Sequence, residues 1–222
     1  DSMKFVSRVL VIGVCLALAG PAFATGMYMG PGGDIADDAY DGTLGSMFAS
    51  TLSVPAGEPD GDEIADVWLE VDAAHTWVGD LVIKLEGPAG LMTLVSRPGL
   101  DEDADDGLGC CGSSSDWVFG AAQTFMDGAD ILAEDMGDAG SPLAAQILQP
   151  TGVYDGFGTP ETSLLGTYGG SSAVGDWTLY IGDSAGGDLG SVEAWTLHLT
   201  TIPEPVTLSL LALGGLVVIR RR

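Results

Sequence analysis

The chain has 222 residues and a formal net charge of −25, and most of its seven Lys and Arg stand at the two ends. Between Thr25 and Ile202 only Lys84 and Arg97 oppose thirty Asp and Glu, which excludes a nucleic-acid partner, because phosphate binding needs a basic footprint. A hydrophobic fraction of 46% with five Trp excludes a solvated acidic tail and leaves one folded domain, with enough chain to close a core without disulfide staples.

The first element, residues 3–24, reads as an export signal. Lys4 and Arg8 precede the apolar "VLVIGVCLALAG", and Ala22-Phe23-Ala24 has the small-x-small form of a signal-peptidase site, so cleavage is expected after Ala24. Residues 25–45 are rich in Gly, Asp and Met without a sustained period and are expected to form an extended arm. Strands are expected from residue 46 to 201. "SMFASTLSVP" (46–55) is the first, and "IADVWLEVDA" alternates with Ala65, Val67, Leu69 and Val71 on one face and Asp66, Trp68, Glu70 and Asp72 on the other. In "GDLVIKLEGPAG", Leu81, Ile83 and Leu85 are expected inward and Lys84 and Glu86 outward, before the Gly87-Pro88-Ala89-Gly90 turn and the short strand "LMTLVSR".

The stretch from Pro98 to about Gly140 is acidic and aperiodic, although "ADILAEDM" has the makings of a helical turn or two. Patterning resumes in "GDWTLYIGDSAGGDLGSVEAWTLHLT", where Trp177, Leu179 and Ile181 alternate, then Trp195, Leu197 and Leu199; the two runs are expected to form a β-hairpin. No fixed repeat is present, so the class is all-β, a sandwich or jelly roll. Asparagine is absent, so Asp and Gly must make the turns and no N-glycosylation sequon exists.

Cysteine usage adds a local question. With the signal removed, Cys110 and Cys111 are the remaining thiols. Adjacent Cα atoms lie about 3.8 Å apart, below the usual disulfide span, so a bond within the pair is strained and a cross-link between two chains is the alternative. Zinc is not expected, because adjacent Cys without a nearby His cannot face one tetrahedral ion.

Chemistry-bearing residues are few. His75 and His198 both fall in or beside strand patterns, and neither a nucleophile elbow nor an H-E-x-x-H motif exists, so both histidines are expected to be structural and the chain is not expected to be an enzyme. Carboxylates are too many for any pair to argue glycosidase chemistry. Calcium is the expected metal, since a hard cation takes six to eight oxygens. Asp101, Asp103 and Asp105 stand at alternate positions of "DEDADDG", and Asp127 and Asp130 are the further candidate ligands, set against a plain solvated acidic surface. The first run is not an EF-hand, since its Gly107 comes one position late and Gly112 stands where a Glu is required. Trp68, opposite the apolar face of its strand, is the candidate for an exposed stacking platform for sugars.

Two resemblances join these readings. His75-x-Trp77-x-Gly79-Asp80-Leu81, Gly87-Pro88-x-Gly90, Gly175-x-Trp177-x-Leu179, Asp183, Asp188-x-Gly190 and Trp195-x-Leu197 together resemble the P domain, or P/Homo B domain, of subtilisin-like proprotein convertases, over about Asp34 to Thr201. The resemblance implies a β jelly roll of about eight strands. It does not bring protease activity, because no catalytic domain fits in this chain, and the loop with Cys110 and Cys111 departs from the family pattern.

The segment 202–222 resembles a bacterial PEP-CTERM sorting signal: Pro203, Glu204 and Pro205 are the motif, Val206 to Ile219 the apolar helix, and Arg220, Arg221 and Arg222 the basic tail. At 1.5 Å per residue the apolar part spans about 21 Å, short of a hydrocarbon core of about 30 Å, and the arginines hold its end on the cytoplasmic side. This resemblance implies an exosortase-type processing enzyme as a partner, a transient inner-membrane anchor, and delivery to the cell surface or exopolysaccharide matrix of a Gram-negative bacterium. The expected function is a non-catalytic structural or binding module. The alternatives are a carbohydrate-binding surface protein and an accessory subunit of a separately encoded subtilisin-like protease.

Overall fold

The computed structural model describes residues 23–59, 61–102, 104–108, 111–153 and 162–203. Ala22, Asp103, Cys110, Glu204, Pro205 and Arg220 to Arg222 lie outside them, and with them most of the signal and sorting segments. Among the described residues, no helix is long and apolar enough to cross a membrane.

Ten strands follow in chain order: β1 (Ala24–Ile35), β2 (Phe48–Val54), β3 (Glu63–His75), β4 (Leu81–Gly87), β5 (Gly90–Ser96), β6 (Gln123–Phe125), β7 (Ile131–Leu132), β8 (Gln146–Gln149), β9 (Gly175–Asp183) and β10 (Gly190–Ile202). One short helix, α1 (Leu164–Tyr168), stands before β9. The strands form a six-stranded sheet in the order β1-β10-β3-β6-β8-β7 and a four-stranded sheet in the order β2-β9-β4-β5. The fold is all-β. Trp117, Trp177, Trp195, Phe125 and the inward Leu, Ile and Val of both sheets form one buried core.

Several expectations are corrected. The supposed arm of residues 25–45 is in large part β1, which pairs with β10 from Ala24↔Thr201 to Ile35↔Gly190. Its glycines hid the strand pattern, and packing requires them: a Cβ at Gly30 would lie 1.9 Å from the Trp195 indole nitrogen. That nitrogen donates to Ser50 Oγ, which donates to the Pro31 carbonyl, so β10, β2 and β1 are tied together along one side of the sandwich. With β1 and the short β6, β7 and β8 counted, the strands number ten rather than about eight.

The expected hairpin of the last two strands is not one. β9 lies in the four-stranded sheet and β10 in the six-stranded sheet, so the loop between them crosses the sandwich. Both runs alternate because each presents one face to the same core, from opposite sides, and alternation does not tell these cases apart. The hairpin at Gly87-Pro88-Ala89-Gly90 is real, with Gly87 opposite Gly90. In β3 a bulge lies between Ile64 and Asp66, so buried Ile64 takes the core place expected of Ala65. The helical turn expected within 129–136 is a two-residue strand, β7, followed by a 3-10 turn (Ala133–Asp135).

Lys84 takes the expected face but is covered there. It points to the outer face of the four-stranded sheet as expected, yet it is only 8% exposed. The segment carrying Tyr40 and Met47 packs over Val82, and the loop after β5 brings Asp105 onto the Lys84 ammonium. Tyr40 donates to the same carboxylate, and its ring lies 5.5 Å from the ammonium. Arg97, 1% exposed, pairs with Glu102 and lies 3.8 Å from Asp106. Its φ of 48° is left-handed backbone, uncommon for a side chain of this size. Both basic residues of the domain thus hold one acidic loop, residues 101–106, against one sheet.

A buried ion pair adds little over an apolar pair, but breaking one leaves a stranded charge. Asp105→Ala is therefore expected to destabilise the protein by about 3 kcal/mol. The double variant Lys84→Met, Asp105→Leu should lose much less, as read from urea unfolding midpoints.

Candidate functional site

Residues that carried the family resemblance converge at one end of the sandwich. His75 ends β3 and Asp183 ends β9, and the two side chains meet in the interior with Nε2 and Oδ2 3.1 Å apart and no exposure. His75 Nδ1 lies 2.8 Å from the Trp77 carbonyl and 3.1 Å from the Trp77 amide nitrogen. Both ring nitrogens are thereby occupied, and none is left to activate a hydroxyl as a catalytic triad requires. Asp80 is buried beside them and accepts the Cys111 amide at 3.2 Å, while Ser184 donates twice to the Asp80 carbonyl. Burial raises the Asp80 carboxyl above its ordinary range, and the nearby Asp183 and Asp188 charges add to this. Asp188 accepts from Thr76, closing the two crossing loops on each other. This end is a structural clasp.

Cys111 is in a disulfide. The other two cysteines of the chain lie outside the described residues, so the Cys110–Cys111 question stays with them.

Of the five carboxylates expected to take calcium, Asp103 lies outside the described residues, and Asp101, Asp105, Asp127 and Asp130 do not form one cluster. Asp105 is held by Lys84 and Tyr40. Asp127 caps α1, accepting the Leu164 amide at 2.9 Å, the Leu165 amide at 2.8 Å and the Ser163 hydroxyl at 2.6 Å. Asp101 and Asp130 are exposed. Among the described residues, no three His, Cys, Asp or Glu are placed to hold an ion.

The outer faces of the two sheets differ, and the difference marks the candidate site. The Tyr40 segment and the acidic loop cover one end of the four-stranded sheet, over Val82 and Lys84, while Ala49, Thr51, Ser53 and Asp176 at its other end are exposed polar or small side chains; on the six-stranded sheet, the rows across β1, β10 and β3 carry large apolar and aromatic side chains in the open. Cross-strand register sets Met27, His198 and Trp68 in one row, and Met29, Thr196, Glu70, Thr124 and Ile147 in the next. Met27, Met29 and Ile147 are 70%, 72% and 51% exposed.

Trp68 is on this face as expected, but it does not stand alone. Its ring stacks on the His198 imidazole with centroids 3.4 Å apart and planes 7° apart, and His198 Nε2 lies 3.3 Å from Glu70 Oε2. One face of the indole is thus taken by protein. Asp66, exposed, lies two residues from Trp68 on the same face.

One buried acid was missed by sequence reasoning. Glu134 follows β7 and is 5% exposed; its Oε1 accepts the Gly99 amide at 2.8 Å, and its Oε2 is buried without a hydrogen-bond partner. Burial pushes its carboxyl up to about 7, helped by the Asp101 and Asp135 charges and opposed by the Gly99 bond. A short irregular stretch has no period, and nothing in its composition separates this Glu from its exposed neighbours.

A carboxyl whose folded pKa exceeds its unfolded value favours folding while protonated, so this contribution is lost as pH rises from the ordinary Glu value through about 7. Glu134→Gln keeps an acceptor for Gly99 and removes the titration. It is expected to raise the melting temperature above about pH 8 and to change it little near pH 5, by calorimetry across the range.

No protein-family model matches the chain, and no curated protein matches it. The class that its architecture defines is an all-β protein of two packed sheets. Among solved structures it is similar to the Aeromonas sobria serine protease crystallised with the chaperone ORF2, at 16% identity and a TM-score of 0.44, covering 87% of this chain and 29% of that one. It is similar also to the serine protease of Aeromonas sobria alone, at 16% identity and a TM-score of 0.44, covering 84% of this chain and 28% of that one. The chain spans less than a third of the length of either.

Proposed function

We propose that this chain is an exported, non-catalytic β-sandwich module of P-domain-like form, sorted to the cell surface or the extracellular polysaccharide matrix, where it binds a partner through one open sheet face. The observation that carries the binding role is the asymmetry of the sandwich. Both Lys and Arg of the domain are committed to covering one end of the four-stranded sheet, while Met27, Met29, Ile147 and the Trp68–His198 stack stand on the other. Scattered apolar residues on a surface need no explanation, but two exposed methionines beside an ordered aromatic stack mark an interaction face. The non-catalytic reading is supported by His75, whose two nitrogens are both engaged in the interior, and by His198, which is stacked and paired with Glu70.

The export reading rests on the sequence at both ends. β1 starts at Ala24 opposite Thr201, so the two terminal segments leave the fold side by side at one end of one sheet. Pro203, next to Ile202, keeps the exit from β10 out of a helix.

Fractionation of the native host with mass mapping of both termini tests this. Mature protein is expected to begin at Thr25, to lack Arg222 and to be found outside the inner membrane. Native material that retains Arg222 in the inner membrane, in a host with the sorting enzyme, would reduce the segment to a plain anchor.

A further inference from the structure

Resting on the reading of the open face as a binding face, we infer that its occupant is a basic polypeptide segment in which Lys or Arg alternates with apolar side chains.

Charge comes first. Lys84 and Arg97 are the Lys and Arg between Thr25 and Ile202, and both are buried against the acidic loop. The surface of this stretch therefore presents carboxylates with no Lys or Arg to offset them. An acidic partner is repelled everywhere, and a cationic one is drawn in from a distance.

The open face then has a specific pattern. Asp66, Trp68 and Glu70 stand at successive same-face positions of β3, beyond the bulge, in regular register with β10 from Thr200 to Thr196. Same-face positions are about 6.6 Å apart, so the two carboxylates lie about 13 Å apart with the indole midway. Glu70 is 43% exposed at its side chain and Asp66 is exposed, so both remain in reach of a partner. On the β1 side stand Met27 and Met29, and on the far side Ile147.

An extended segment has the same repeat as β3. With basic residues four positions apart it sets one on each carboxylate, and an apolar residue between them meets Trp68. The cations also gain from the aromatic face. Methionine flanks adapt to partners of different shape.

The test uses the full chain in mild detergent at about 0.15 M salt. The probe is a synthetic peptide repeating Arg-Ser-Leu-Ser, compared with the same peptide carrying Glu for Arg, and with one of equal charge carrying Ser for Leu. The first is expected to bind and the other two to bind far less. Trp68→Ala should weaken binding by about tenfold and Glu70→Gln by about threefold. Met29→Ser, at an exposed position, should also weaken it, whereas Asp138→Asn, which removes the same charge elsewhere, should not. Melting curves establish that each variant is folded.

Equal losses for Asp138→Asn and Glu70→Gln would overturn the inference, leaving diffuse charge attraction. A neutral polysaccharide that binds in a Trp68-dependent way, with no peptide binding, would overturn the basic partner and keep the binding face. Binding of neither probe by folded protein would overturn both.

Discussion

Two cations organise this molecule. In a domain so acidic, each buried Lys or Arg has many carboxylates to choose from, and burial makes the choice expensive to get wrong. Lys84 and Arg97 take theirs from a single loop, Asp105 from one and Glu102 from the other, and so press residues 101–106 onto the four-stranded sheet. On either side of that loop, the Cys111 amide donates to Asp80 and the Gly99 amide to Glu134. Covering of the Val82–Lys84 end of the four-stranded sheet rests on how two positive charges are used.

The two ends of the sandwich show how acids are sorted by surroundings. Asp183 meets His75 without solvent, Asp127 meets the amides of α1, and Asp72 accepts the Gly120 amide with both oxygens, so each has donors. Glu134 is buried with one oxygen left without a hydrogen-bond partner, and its proton affinity rises. Many of the acids that look alike in the sequence are hydrogen-bond acceptors for turns and caps, as the absence of asparagine requires.

Legibility in the sequence followed the physics of period two. Val67, Leu69 and Val71, or Leu81, Ile83 and Leu85, are buried as alternation demands. Alternation reports that a strand has a buried face and says nothing of its partner, which is why β9 and β10 looked like a hairpin and are not. β1 was hidden because Gly26, Gly30, Gly32 and Gly33 carry no hydrophobicity, although Gly30 is there to admit Trp195. Lys84 was placed on the correct face, but its covering by Asp105 joins parts of the chain about twenty residues apart and leaves no local trace. Trp68 lies opposite the core face, where alternation placed it, whereas its stacking on His198 depends on cross-strand register, which no single strand encodes.

The central claim is that the Tyr40 segment covers one end of the four-stranded sheet while the β1-β10-β3 face stays open, and methionine oxidation reads this most directly because thioethers react as solvent reaches them. Under limiting peroxide or hydroxyl radical, with each site followed by mass spectrometry, Met27 and Met29 on the six-stranded face should oxidise quickly. Met47, under the Tyr40 segment on the four-stranded face, should be protected along with the core residues Met92 and Met136. Oxidation of Met47 as fast as that of Met27 would mean that this end of the four-stranded sheet is not covered, and would contradict the account.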